Sequence, residues 1–272
     1  MAISLKIQPP LIDGIFGSFG FLLFNVLVWP QLSIISPTER TALRFLLCFL
    51  VLSVFLLPQS APQLRQIFAA KNRIIWITLS ALLLGANCFL IIFCCGSHKI
   101  MEAGLGIYMG HLGTTFIGLL RQSKSSSLKR LIFKDVRYLI IASVALLLIV
   151  RIITLIPFPV FGLLIGASWI GRNVLLNFKL SQENTTQICL IEHGILALFS
   201  LVYLSLVITT AQTSLLSLSS INLLKLLLGC GGSIIPVYLS TKASQRLSLI
   251  KAGFLGLISP LGTLIFGYFL DH

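Results

Sequence analysis

Charge is what this sequence lacks. Only 10% of its 272 residues are Asp, Glu, Lys or Arg, against roughly 25% in a soluble domain whose surface must face water. Acidic residues are scarcest, seven in the whole chain, and there are four histidines. A di-metal centre or an acid/base pair is hard to assemble from so few groups. The sequence holds no HExxH, no GxSxG, no P-loop and no GxGxxG. An enzyme is therefore not expected, nor is a metal or a cofactor. Without a P-loop the chain carries no ATPase of its own to drive transport. The six cysteines form no CxxC pair and lie in or beside apolar runs, where they read as small buried hydrophobes. Alternating ten-residue strands are also missing, which excludes an outer-membrane barrel.

What is abundant is apolar sequence, 57% of the chain. Runs close to the length that crosses a bilayer, about 17–25 residues, recur from end to end. Nine candidate spans can be drawn, near 11–29, 42–58, 74–95, 101–120, 138–154, 158–177, 187–207, 221–239 and 249–270. The first follows one lysine, Lys6, and no small-residue cleavage site comes after it, so it reads as a span and not a removed signal peptide. Connections are short, and no soluble domain interrupts them.

A net charge of +13 might suggest nucleic acid, but the basic residues sit in short segments between apolar runs, not along one face. That is the pattern of cytoplasmic loops, and no nucleic-acid partner is expected. The longest connection, 121–137, holds Arg121, Lys124, Lys129, Arg130, Lys134 and Arg137. With loops sorted alternately, the N-terminal side collects fifteen basic residues and the opposite side five. The N-terminus is therefore expected in the cytoplasm.

The chain also repeats itself. MEAGLGIYMGHLGTTFIGLL at 101–120 aligns without gaps with IKAGFLGLISPLGTLIFGYF at 250–269. The matches include Ala103/Ala252, Gly104/Gly253, Gly113/Gly262, Thr114/Thr263 and Gly118/Gly267. LLLG at 82–85 recurs at 226–229, so spans three and four correspond to spans eight and nine. Five spans is an odd displacement, which makes the two copies cross the membrane in opposite directions. Glu102 precedes its span on the expected outer side, and its counterpart Lys251 precedes its own on the cytoplasmic side. Inverted repeats are the architecture of many secondary transporters.

Further residues carry a family likeness. They are Glu39 and Arg44 in ERTALR, GAN at 85–87, MEAGLGIY at 101–108, TLIPFP at 154–159, Pro236, and RLSLIKAGFLGLISP at 246–260. In this order and spacing the chain resembles the EamA-like group of the drug/metabolite transporter superfamily, and within it the RarD (chloramphenicol-sensitivity) permeases. The resemblance implies an all-α integral membrane fold built as an inverted five-helix repeat. Residues 1–155 would form the first EamA-like repeat and 156–272 the second, with its last helix missing. Three departures stand out. The chain stops at Asp271-His272 after the ninth span where the family has ten, the Gly-Glu that follows spans four and nine is absent, and His111 stands where the family has proline.

Ionisable groups within a bilayer are costly and are candidates for function. Glu102 and His111 share the fourth span nine residues apart, about two and a half turns, so they face opposite sides. His111 lies deeper, suited to binding an anion or titrating near neutral pH, or to bonding a neighbouring helix. Glu102 reads as a solvated interfacial carboxylate or a substrate contact. Glu39 and Arg44 open span two, as an ion pair fixing the helix or as contacts to substrate. Arg172, beside Trp169 and Asn173, snorkels to the headgroups or recognises a carboxylate or phosphate. Asn25 and Asn87 are amides for bonds between helices or for lining a substrate path. Gly106-x3-Gly110 and Gly162-x3-Gly166 permit close helix contact. Pro236 and Pro260 interrupt helices eight and nine, freeing carbonyls that could face a cavity.

The expectation is a secondary-active permease of the bacterial inner membrane, moving a small organic metabolite or drug-like compound by alternating access. Its partners would be that substrate and the bilayer. Whether a homodimer supplies the missing span stays open. The alternative is a divergent, non-transporting membrane protein descended from such a permease.

Overall fold

The computed structural model describes residues 9–32, 35–69, 71–122, 160–210, 213 and 218–270. These residues are helical nearly throughout. In chain order the helices are α1 (Pro9–Leu23), α2 (Pro37–Ala69), α3 (Lys71–Gly96), α4 (Ile100–Gln122), α5 (Val160–Phe178), α6 (Thr185–Thr209), α7 (Ser220–Gly232), α8 (Ile234–Arg246), α9 (Leu249–Gly256) and α10 (Ile258–Leu270). Seven helical stretches among the described residues are long and apolar enough to cross a membrane, α7–α8 and α9–α10 each counting as one stretch. The expected fifth span at 138–154, most of the basic connection at 121–137, TLIPFP at 154–159 and the boundary at 155/156 lie outside the described residues.

The distribution of side chains is that of a bundle in lipid. Large apolar residues such as Val54, Phe55 and Leu228 point outward, with Val54 70% exposed. Polar groups such as Ser80, Thr114, Glu192 and Thr263 are completely buried. Backbone and side-chain polar groups turn inward because hydrocarbon offers them no partner.

Two prolines break the last two spans. Each ring removes one backbone N–H and crowds the carbonyl four residues back. The residues four back, Gly232 and Gly256, end α7 and α9, and the breaks follow at Ser233 and Leu257, three residues before Pro236 and Pro260. A third proline, Pro30, acts on the first span. Ahead of it the helix widens into a π-turn over Phe24–Val28, with the Trp29 N–H reaching the Phe24 carbonyl, and then tightens into a 3-10 turn, Pro30–Leu32.

Glycine sets the spacing around α4. A Cβ on Gly106 would stand 2.7 Å from the Gly162 carbonyl oxygen, and one on Gly110 would stand 2.9 Å from the Trp169 Cβ. On its other flank α4 meets α9 and α10, where Gly104 faces Leu264 and Gly253 faces Thr115. The two small-residue motifs of α4 and α5 therefore lie face to face.

Contacts near the termini of the helices gather one polar end. Asp13 pairs with Lys242 at 3.0 Å and Arg73 with Glu183 at 3.2 Å. Lys179 lies over Trp76 and Arg121 over Phe178. Asn177 donates to the Ser244 and Leu247 carbonyls. The basic segments near 73, 121, 179 and 242 thus share one end, as the alternation of loops requires. Replacing Gly106 by leucine should push α4 and α5 apart and cost about 1–3 kcal/mol, as overpacking does. Thermal unfolding of the detergent-solubilised protein measures this, and a midpoint equal to the parent's would show that the helices do not meet there.

Candidate functional site

Three arginines lie inside the bundle, at 1–3% exposure, and each meets a different environment. Arg172 on α5 forms an ion pair with Glu192 on α6, Nη2 to Oε2 at 2.8 Å, and its Nε donates to Oε1 at 3.3 Å. Its Nη2 also donates to Thr241 on α8, while Ser80 on α3 donates to the same carboxylate. Four helices are tied at this node. Arg172 therefore does not snorkel to the headgroups: Glu192 supplies the counter-charge that makes its burial affordable.

Arg40 donates Nη1 to the Trp29 carbonyl and lies on Gly96, where a Cβ would meet the guanidinium. That is the C-terminal end of α3, the negative end of a helix dipole. Arg44, one turn along α2, donates Nε to Ser233 Oγ at 2.9 Å and lies against the Phe45 ring. Its Nη1 has no hydrogen-bond partner. Glu39 has partners of its own, accepting from Ser36 and Thr213. Glu39 and Arg44 meet separate partners, because five residues apart on one helix puts the two on different faces.

Arg44 opens into a narrow cavity of about 20 Å³, room for a water or so, at the break between α7 and α8. Its wall includes Asn25, Asn87, Trp169, Ser233 and Pro236. A neighbouring cavity of about 20 Å³ shares Phe21, Asn25, Ile91 and Trp169 with it and adds His111 and Ser259. The π-turn ahead of Pro30 carries Asn25 into this wall. Asn87 donates to the Ile165 carbonyl and to Ser168, so it joins α3 to α5 while lining the cavity. Asn25 Nδ2, by contrast, has no partner. His111 packs on the edge of Trp169, ring centroids 5.2 Å apart, and over Gly256, where any Cβ would overlap it.

Glu102 stands apart from this group. Its Oε1 accepts from the Phe161 N–H at 3.0 Å. A carboxylate at a helix N-terminus is a capping contact, so Glu102 is bound to α5 and is not simply solvated. Of the residues singled out from sequence, Asn25, Arg44, Asn87, His111, Trp169 and Pro236 come together around the two cavities. Pro260 terminates the break beside them, Gly106 and Gly110 form the α4–α5 contact, and Glu39, Glu102 and Arg172 lie in other networks.

Sequence reasoning missed Glu192, Ser80, Ser233 and Ser259. For Glu192 a signal existed: IEHG at 191–194 puts an acid and a histidine inside an otherwise uncharged span, and an intramembrane charge calls for a partner. The serines carry no pattern that distinguishes them.

A bundle with outward-facing apolar surfaces, a buried ion pair and an internal cavity with polar groups in its wall defines a multi-pass helical membrane protein of permease-like build. Among known proteins, it is similar to Protein RarD of Salmonella typhi and of Salmonella typhimurium, each 26% identical over 230 residues, covering 84% of this chain and 73% of theirs. Protein RarD of Escherichia coli strain K12 is 26% identical over 204 residues, 75% of this chain and 65% of that protein. No family model matches the chain, and no solved structure matches it. The likeness to RarD read from the sequence motifs is thereby shown, and with it a bacterial setting.

Removing one member of a buried pair strands the other's charge. Glu192→Gln should therefore destabilise the protein by about 3–5 kcal/mol, and adding Arg172→Gln should recover part of the loss. Unfolding midpoints of the two single variants and the double variant test this. Additive losses would mean that the pair does not act as a unit.

Proposed function

We propose that the chain is a secondary permease of the drug/metabolite transporter type, carrying a small organic metabolite or drug-like compound across the inner membrane by alternating access. The N-terminus and the basic end lie in the cytoplasm. The observation that supports this reading is a set of reciprocal helix contacts around the cavity, of the kind two copies of an inverted repeat would make.

Reciprocal contacts support the repeat. At the offset of 149 that aligns the copies, Gly104 corresponds to Gly253 and Thr115 to Leu264. Gly104 packs on Leu264, and Gly253 packs on Thr115. Thr114 and its counterpart Thr263 each donate to the carbonyl four residues back, those of Gly110 and Ser259, which are counterparts too. At an offset of 148 the first and sixth spans join the scheme. Asn25-Val-Leu matches Asn173-Val-Leu, Gly14 matches Gly162, and Leu22 matches Ile170. Gly106 packs on Gly162, and its counterpart Leu255 packs on Gly14. Likewise Gly113 packs on Ile170 and Gly262 on Leu22. Exchanged contacts of this kind are what a two-fold relation produces.

Phe21 and Trp169 are counterparts under the same offset, and their rings meet edge to face at 5.6 Å. A pair that touches its own equivalent lies on the two-fold axis. Both rings line the cavities, so the candidate site lies on the axis, where rocking of one half against the other exposes it to each side in turn. The break at Ser233 borders the same space, that at Leu257 lies two residues before Ser259 on its wall, and both give the halves places to bend.

A transported compound at 100 times its dissociation constant should stabilise the purified protein by about 2.7 kcal/mol, and in proteoliposomes it should show saturable counterflow. A folded sample that neither shifts nor exchanges any member of a broad metabolite and drug panel would favour the non-transporting alternative.

A further inference from the structure

Resting on the permease reading, the polarity of the cavity narrows the substrate class. Most protein interiors pair their buried polar atoms. Here five buried side-chain atoms without a hydrogen-bond partner belong to residues lining the two adjoining cavities: Asn25 Nδ2, Arg44 Nη1, His111 Nδ1, Trp169 Nε1 and Ser259 Oγ. Three of these, on Asn25, Arg44 and Trp169, are obligatory donors. No carboxylate lines either cavity.

The comparison among the three buried arginines sharpens the point. Arg172 has a carboxylate; Arg40 has a backbone carbonyl at a helix end, with its Nε left without a hydrogen-bond partner, but it does not line either cavity. Arg44 has a serine hydroxyl and the neighbouring Cys88 and Cys48 thiols and, among the described residues, no carboxylate partner. A guanidinium held inside a membrane bundle without a counter-charge is costly, and a bound anion would remove that cost. The remaining wall is apolar, with Phe21, Phe24, Trp29 and Trp169 around the space beside Leu84, Ile91 and Ile92. Aromatic faces alone would also receive a cation, but the fixed positive charge of Arg44 in the same wall repels one.

We propose that the substrate is a small organic anion, a ring-bearing carboxylate, with a carboxylate oxygen on Arg44 Nη1, further donors from Asn25 and Trp169, and its ring against the aromatic wall. Ion pairing selects the charge, and the aromatic side chains select the shape.

Calorimetric titration of the full chain in lipid nanodiscs with benzoate, benzamide and benzylammonium tests this directly. Benzoate should bind at least about tenfold more tightly than benzamide, as a charge-assisted hydrogen bond implies, and benzylammonium should not bind. Arg44→Gln should reduce benzoate to the level of benzamide. Should that variant fail to fold, Asn25→Asp keeps the side-chain shape and places a carboxylate in the cavity. It should abolish benzoate binding and leave benzamide binding. Benzamide or benzylammonium binding as tightly as benzoate would overturn the anion assignment while leaving the permease reading in place. Binding of none of the three, with saturable counterflow of some other compound intact, would also overturn it. Loss of counterflow for every compound would instead strike the permease reading itself.

Discussion

The fourth helix is approached so closely on two flanks that nothing larger than a hydrogen atom fits at the contact points. Gly106 and Gly110 meet Gly162 and Trp169 on one side, and Gly104 meets Leu264 on the other. In lipid there is no hydrophobic drive between helices, so such van der Waals contact, with hydrogen bonds, is what holds them together. The close approach has a second effect. It brings Trp169 of α5 beside His111 of α4 and sets the ring of His111 over Gly256 of α9. The walls of the cavity are therefore fixed by the same glycines that join the halves.

The polar interior divides into two kinds of site. The node of Arg172, Glu192, Ser80 and Thr241 is closed, with each charge met by its opposite and the remaining bonds satisfied. It ties α3, α5, α6 and α8 together without facing the cavity wall. The cavity itself is left open, with donors in place and acceptors missing. The proposed binding site rests on this contrast between a buried guanidinium that meets a carboxylate and one on the cavity wall that does not.

Much of this architecture is legible in the sequence, and the failures have physical causes. Hydropathy located seven of the nine expected spans, because crossing a bilayer demands long apolar runs whatever their packing. The one expected at 42–58 lies in α2, which is not among the seven, and the one at 138–154 lies outside the described residues. The glycine motifs read correctly because a missing side chain has one common use between membrane helices. Pro236 and Pro260 read correctly because the missing N–H acts locally. Partner choice was less accessible. Arg172 looked like a snorkelling residue until Glu192, twenty positions on, was seen opposite it. Glu39 and Arg44 looked like a pair because they are near in sequence, whereas helix geometry turns them apart. The unpartnered state of Asn25 depends on a π-turn and on three helices from distant parts of the chain. The match of Asn25-Val-Leu to Asn173-Val-Leu was present in the sequence, but three residues do not stand out until their surroundings correspond.

The central claim is that the cavity on the Phe21–Trp169 axis opens to each side of the membrane in turn. Cys88 lines that cavity and is a free thiol. With the other five cysteines replaced by alanine, Cys88 can be probed in oriented vesicles by a membrane-impermeant thiol reagent added to one side or the other. Modification from both sides, slowed by a bound substrate in each case, is the result predicted by alternating access. Modification from neither side, in a protein that remains folded, would contradict the account.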